Sequence, residues 1–329
     1  MKIINENEIK NCYHIKDAIQ DVRNILTAMT ASKVENPHRT VIEFPTRSAS
    51  VLYMPSADKV SEIASVKIVS IFPENPSQGK PTTQGAMLLT DTSDGSHLAL
   101  MNASYLTRLR TGALSAIATD LLSKKDSKVL TVIGTGAMAF EQVLGVLEVR
   151  KIENIHLVNP TIEKAEVFKE RLRSMGVQPD ITVHSLESLS AIVQQADIIC
   201  CSTRSETPVF DGNDIQPGTH VNGVGSYLPH MREVDFNFIE RCDKIVVDDF
   251  AGVSEEAGEL IHANQQDSWS FDSLHGELKE IASGEISSRE NDEEITFFKC
   301  VGAAYFDLAV GHGVYKKAGT AEIGTDIDL

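Results

Sequence analysis

The sequence predicts an α/β protein: a doubly wound parallel sheet joined to an N-terminal α+β domain with an antiparallel sheet. Three observations carry that prediction. From Ser104 onward, apolar β-like runs and helical patterns alternate, the rhythm of βαβ units on a parallel sheet. A glycine-containing turn, "VIGTGAMA", links the first apolar strand of that stretch to a helix. Before Ser104, by contrast, short β-like runs follow one another with little helix between them.

Taken in order, a helical pattern over Ile15–Thr30 precedes β-like runs at 39–44 (RTVIEF), 50–54 (SVLYM), 65–72 (SVKIVSIF), 85–91 (GAMLLTD) and 98–103 (LALMNA). The turn signal "TSDGS" joins the last two as a hairpin. A long helical pattern, "YLTRLRTGALSAIATDLLSK", leads into the strand Val129–Ile133. Helices over 137–149, 162–174 and 187–195 then alternate with strands over 155–158, 181–184 and 197–202. Further strands fall near 219–224 and 244–248, and the tail gives a strand, "EITFFKC", and a last helix, Ala303–Lys317. The expected division is a first domain over 1–115, with 303–329 packing back on it, and a second over 116–302.

Composition narrows the function classes. The 329 residues are 42% hydrophobic, enough to bury a large core, and no run of about 18 apolar residues is present to span a membrane. The start, "MKIINENEIKN", lacks the apolar centre of a signal peptide, so a cytoplasmic location is expected. With 30 basic against 47 acidic residues, the net charge of −17 excludes nucleic acid and anionic lipid as main partners, while a locally basic pocket still admits an anionic small molecule. The five cysteines (Cys12, Cys200, Cys201, Cys242 and Cys300) show no CxxC spacing and read as reduced, mostly buried thiols. The histidines have no metal-ligand spacing, and no metal is expected.

The chemistry-bearing residues begin at the glycine turn. Gly134, Gly136 and Ala139 stand in G-x-G-x-x-A spacing between a strand and a helix. Such a turn lets backbone approach a pyrophosphate, and the helix N-terminus offers free N–H groups to it. Asn159, 25 positions after Gly134, occupies the place where a ribose-binding carboxylate is usual. An amide bonds a ribose without repelling a 2′-phosphate, so NAD and NADP both stay open. Ser202 and Thr203 sit at a strand's carboxyl end, where ligands bind in open parallel sheets; ordinary turn chemistry is the alternative there. Three cations, Arg39, Lys67 and Arg110, lie in apolar surroundings and together could bind a carboxylate. For Lys67 a solvated sheet face is the alternative, and Arg108 is expected to point to water.

"SVKIVSIFPENPSQGKPTTQGAMLLTDTSDGSHLALMNASYLTRLRTGALSAIA" followed by "VIGTGAMA", with "VVDD" and "FFKCVGAAYFDLA" in the tail, resembles the ornithine cyclodeaminase/μ-crystallin family over about residues 35–310. The resemblance implies an N-terminal substrate and dimerisation domain, a Rossmann domain and a homodimer. It places Arg39, Lys67 and Arg110 as carboxylate-binding and catalytic residues, with Arg110 also among the cofactor contacts. It makes Gln84, Gly134, Gly136, Ala137, Met138, Asn159, Ser202 and Thr203 cofactor contacts, and adds the strand end Val224, Gly225 and Ser226. Cys300 and Val301 fall where a serine is common beside the nicotinamide, Val301 on the substrate side. The decisive departure is in "VNGVGSYLPHMREVD": cyclodeaminases carry an aspartate two positions after the glycine matching Gly225, and here Tyr227 stands there. A tyrosine, with a pKa near about 10, is a poor base for a second amine. It suits the wall of a site for a cyclic imine. "GS-aromatic-x-P" resembles the family's ketimine reductases, so the implied reaction is NAD(P)H-dependent reduction of Δ1-pyrroline-2-carboxylate or Δ1-piperideine-2-carboxylate to L-proline or L-pipecolate. The alternatives are ornithine cyclodeamination, alanine or amino-acid-conjugate dehydrogenation, and a non-catalytic ligand binder like μ-crystallin.

Overall fold

The computed structural model describes residues 1–328. It divides into two compact units, Met1–Arg110 with Ala303 onward, and Thr111–Gly302. The boundary falls inside one long helix, Ala103–Leu122.

Strands are numbered in chain order. The first unit holds β1 (Lys2–Ile4), β2 (Val34–Glu35), β3 (Thr40–Phe44), β4 (Ala49–Asp58), β5 (Ile63–Ile71), β6 (Thr83–Asp91) and β7 (His97–Asn102), with the tail strand β16 (Thr325–Asp326). Their order is β16-β1-β7-β6-β5-β4-β2, and β3 also pairs with β4. The β3 to β7 pairings are antiparallel, and β6 and β7 form the hairpin that "TSDGS" predicts, with a bulge at Leu89/Thr90. The expectation of an antiparallel sheet needs one correction: β1 runs parallel to β7, which makes the sheet mixed. A three-residue strand has no periodicity to announce it.

The pleat sorts this sheet's residues into two faces. Met54, Lys67, Met87 and Met101 lie opposite one another in register and are all buried. The helices Ile15–Thr30 and Ala304–Thr320 belong to the same unit and pack together, the latter also against β4, β5 and β6. The other face carries Tyr53, Ile68 and Leu100, each more than a third exposed, beside Ile42 and Phe44 of β3.

The second unit is an all-parallel sheet of β8 (Val129–Ile133), β9 (Asn154–Val158), β10 (Asp180–His184), β11 (Ile198–Cys201), β12 (His220–Gly223), β13 (Lys244–Val247), β14 (Gly276–Glu277) and β15 (Thr296–Lys299), in the order β10-β9-β8-β11-β12-β15-β13-β14. Alternation sends Ile198 and Cys200 into one core, with Phe140 and Phe168, and Ile199 and Cys201 into another, with Phe210, Phe238 and Phe297. Both faces are therefore covered, as a parallel sheet requires. Each fully buried large apolar side chain contributes about 1.5–3 kcal/mol. The order reverses between β8 and β11, and that switch point is where such sheets bind ligands, beyond the strands' carboxyl ends.

Candidate active site

In the first unit, the structure brings the three predicted cations together. Lys67 is 2% exposed, so the solvated-face alternative fails. Its Nζ donates to Asp307 Oδ2 at 2.5 Å, and Arg110 Nε reaches Oδ1 of the same carboxylate at 3.4 Å. Half-buried Arg39 lies close enough for its charge to act on Lys67. Burial pushes the Lys67 ammonium down to about 8; Asp307 opposes that shift, while the positive charges of Arg110 and Arg39 add to it. Arg108 does not simply point to water: it pairs with Glu6 at 2.8 Å and lies over the Tyr105 ring. Gln84 is exposed, and its strand position puts it on the sheet face opposite Lys67, apart from the cations.

Asp307, the carboxylate on which two of these cations converge, is announced by neither the glycine turn nor the cation pattern. The signal was available, because an acid inside the apolar run "AAYFDLAV" is as anomalous as a lysine inside "SVKIVSIF".

In the second unit, the glycine turn has the geometry a dinucleotide needs. Gly134 sits at φ +87°, and a Cβ there would meet Thr203 Cγ2 at 2.7 Å. Gly136 and Ala137 are exposed, Met138 is half-buried, and the helix Ala139–Val149 starts two residues later than the periodicity predicts. The hydroxyls of Thr135 and Ser202 are buried without a partner in the protein. At Thr135 a pocket of about 390 Å³ is lined by that residue with Gly136, Ala137, Lys164 and Arg171, among others. The residues present fit a bound dinucleotide. Asn159 spans the turn, accepting from Thr135 N at 3.3 Å and donating to Thr161 O at 2.8 Å.

The strand ends are organised from behind by buried charges. Glu233, fully buried, accepts from Thr203 N and Oγ1 with one oxygen and from Gly225 N and Ser226 N with the other. Burial raises its pKa, and the nearby Lys299 opposes that. Lys299 donates to Ser226 O and Oγ at 2.6 Å and pairs with Glu259 at 3.0 Å, which also accepts from Ser226 Oγ. Every polar atom of Ser226 is thus engaged inside the unit, so it shapes the loop. A Cβ on Gly225 would lie 2.0 Å from Thr203 O, which is why a glycine stands there. Cys300 donates its N–H to Gly223 O and its thiol to Asp248, and Val301 N donates to Asp248 as well. The amides of both are committed to the fold. Val224 is buried, whereas Tyr227 is half-buried at the loop that follows.

The family model for "Ornithine cyclodeaminase/mu-crystallin family" matches residues 2–322. The chain belongs to that family. Among family relatives, a "Delta(1)-pyrroline-2-carboxylate reductase" of Bacillus thuringiensis subsp. konkukian is 37% identical over 329 residues, the whole of both chains. Among solved structures, the Thermococcus litoralis Delta(1)-pyrroline-2-carboxylate reductase in complex with NADH and L-proline matches with a TM-score of 0.94 and 34% identity, covering 99% of this chain and 100% of that one. An archaeal alanine dehydrogenase dimer with bound NAD matches with a TM-score of 0.92 and 28% identity, covering 100% and 99%. Among the described residues, no helix is long and apolar enough to cross a membrane.

Proposed function

We propose that the protein reduces a cyclic imino acid, Δ1-pyrroline-2-carboxylate or its six-membered homologue, to the corresponding L-amino acid with NAD(P)H. The observation that carries this reading is the buried Lys67–Asp307–Arg110 cluster beside Arg39, found in a chain that resembles a pyrroline-2-carboxylate reductase from end to end. A lysine and two arginines gathered in one place suit a substrate whose fixed charge is one carboxylate. Arg39 and Arg110 hold that carboxylate. Lys67, protonated below about pH 8, gives a proton to the imine nitrogen. The reduced nicotinamide, when bound, supplies the hydride that C2 accepts. Gly134, Gly136, Ala137 and Met138 cradle its pyrophosphate, Asn159 meets its ribose, and Ser202, Thr203 and Val224 line the strand ends.

Tyr227 favours imine reduction over cyclodeamination, since it replaces the aspartate that would hold a second amine. The exposed apolar face of Tyr53, Ile68 and Leu100 supports a homodimer formed through the first unit's sheet. Five cysteines with no disulfide suit the reducing cytoplasm.

The test is a substrate panel with both cofactors. The expected result is stoichiometric NAD(P)H oxidation with a cyclic imino acid. Rapid ammonia release from ornithine without net cofactor change would overturn the reading, and so would NADH oxidation driven only by pyruvate plus ammonia.

A further inference from the structure

We propose that Asp307 is the positioning residue of this reaction: its carboxylate grips Lys67 and Arg110 at once, so that the lysine is held as the proton donor and the arginine as the carboxylate clamp. The inference rests on the reductase reading above and assigns a part to a residue that neither the glycine turn nor the cation pattern indicates.

The geometry is specific. Asp307 enters from the first turn of the helix Ala304–Thr320 and is fully buried. One oxygen takes Lys67 Nζ at 2.5 Å and the other faces Arg110 Nε at 3.4 Å, drawing together a strand, a central helix and the tail helix over 240 and 197 positions of sequence. Stability alone gives no reason for this pair. The residues facing Lys67 across its row are Met54, Met87 and Met101. An apolar side chain at 67 would continue that row, and replacing a buried ion pair by apolar packing is often neutral or stabilising. The charged groups that act on Lys67 are Asp307, Arg110 and Arg39. The two arginines drive the proton off the lysine, and Asp307 is the group among them that keeps it on.

In the step itself, the proton leaves Lys67 Nζ for the imine nitrogen as C2 accepts the hydride from the reduced nicotinamide cofactor. The C=N bond becomes C–N and the cofactor is oxidised, while Asp307 takes no part in the bond changes. Lys67, left neutral, regains a proton from water after the amine departs.

The test is a double-mutant cycle of Asp307→Asn and Lys67→Met in the full chain, read by kcat, by the KM for Δ1-pyrroline-2-carboxylate and by the pH profile. NADH binding serves as the measure of folding. Wild type should lose kcat/KM as pH rises through about 8, where Lys67 gives up its proton. Without the opposite charge, the lysine of Asp307→Asn should deprotonate at least about one pH unit lower. Its kcat should fall at least about twofold at pH 7 and about fivefold at pH 8, and KM should rise, because Arg110 loses the carboxylate that holds it as the clamp. The double variant should be no slower than Lys67→Met alone. Unchanged kcat and pH profile in Asp307→Asn would overturn the proposal, as would a loss confined to KM. Should Asp307→Asn not bind NADH, the comparison of Lys67→Met with the double variant decides, and an additive further loss refutes it. Failure of both Asp307 variants to bind NADH would make the carboxylate purely structural and equally refute it. A wild-type protein that reduces no cyclic imino acid would instead remove the reductase reading, which the same assay reports separately.

Discussion

Gly136→Ala separates a glycine that the fold needs from one that a ligand needs. A Cβ built on Gly136 meets nothing within 4 Å, and its φ is not in the left-handed region. The protein itself therefore gives no reason for a glycine there. An alanine in a compatible conformation restricts the unfolded chain and stabilises by about 0.4–1 kcal/mol. The same methyl group occupies the space through which a pyrophosphate would approach the turn. Losing one charge-assisted hydrogen bond at that approach costs about 2–3 kcal/mol, which is about 30- to 150-fold in affinity. The assay pairs urea unfolding with NADH fluorescence titration. Expected is a variant at least as stable as wild type whose NADH dissociation constant rises by about that factor. Unaltered NADH affinity would refute the reasoning, because it would leave an exposed glycine with neither a structural nor a ligand role.

Asn159→Asp should raise the KM for NADPH at least about tenfold and leave NADH use nearly unchanged, since a carboxylate repels a 2′-phosphate and accepts from a ribose hydroxyl; parallel kinetics with both cofactors check it. Ile68→Glu, which puts a charge on the open apolar sheet face, should shift sedimentation from twice the 36.0 kDa chain mass to the chain mass while leaving the fold's circular dichroism intact. His220 is fully buried between Thr296 Oγ1 and Asn222 Oδ1, and burial holds its imidazole down to about 3 against an ordinary 6.5. The unfolded chain takes up that proton first as pH falls, so the stability contribution is complete above about 6.5 and is lost toward 3. Between pH 7 and pH 5 this amounts to about 2 kcal/mol. Urea unfolding at the two pH values should show the loss in wild type and a smaller one in His220→Asn.

The features that were legible in the sequence share a local cause. Alternating periodicity and the strand–glycine–helix context fix β8, the turn and the helix after it within a dozen residues. Lys67 was visible because a charge inside an apolar run has to be answered somewhere. The answer, Asp307, lies 240 positions away, and no local pattern states which buried charges meet. The same holds for Glu233, Glu259 and Lys299, which tie the strand ends together from behind. Position matching reached the loops at Ser226 and Cys300 but not the state of their atoms: their donors turn inward, to Glu259, Glu233, Gly223 and Asp248. Short helices such as Phe236–Arg241 and Phe250–Glu256 were also missed, although the Asp235 and Asp249 N-caps announce them.

The disposition of the buried carboxylates bears directly on which reaction the protein runs. A cyclodeaminase has to bind a diamine, whose second ammonium needs an acceptor and then a base. In the first unit, Asp307 has one oxygen on Lys67 and the other facing Arg110. In the second, Glu233 is saturated by Thr203, Gly225 and Ser226, Glu259 is paired with Lys299, and Asp248 accepts from Val301, Gly302 and Cys300. Each of these carboxylates stands behind a strand end or beneath a cation, serving the protein's own donors. Recruiting one for a substrate amine would strip a buried amide or ammonium of its partner, at a cost of about 1–3 kcal/mol for the neutral group and more for the charged one. The position where the family's deaminases carry an aspartate for this purpose holds Tyr227, which supplies one hydroxyl and no negative charge. A cyclic imino acid asks for none: its one fixed charge is the carboxylate, and the guanidinium and ammonium groups of Arg39, Arg110 and Lys67 are the chemistry that recognises one.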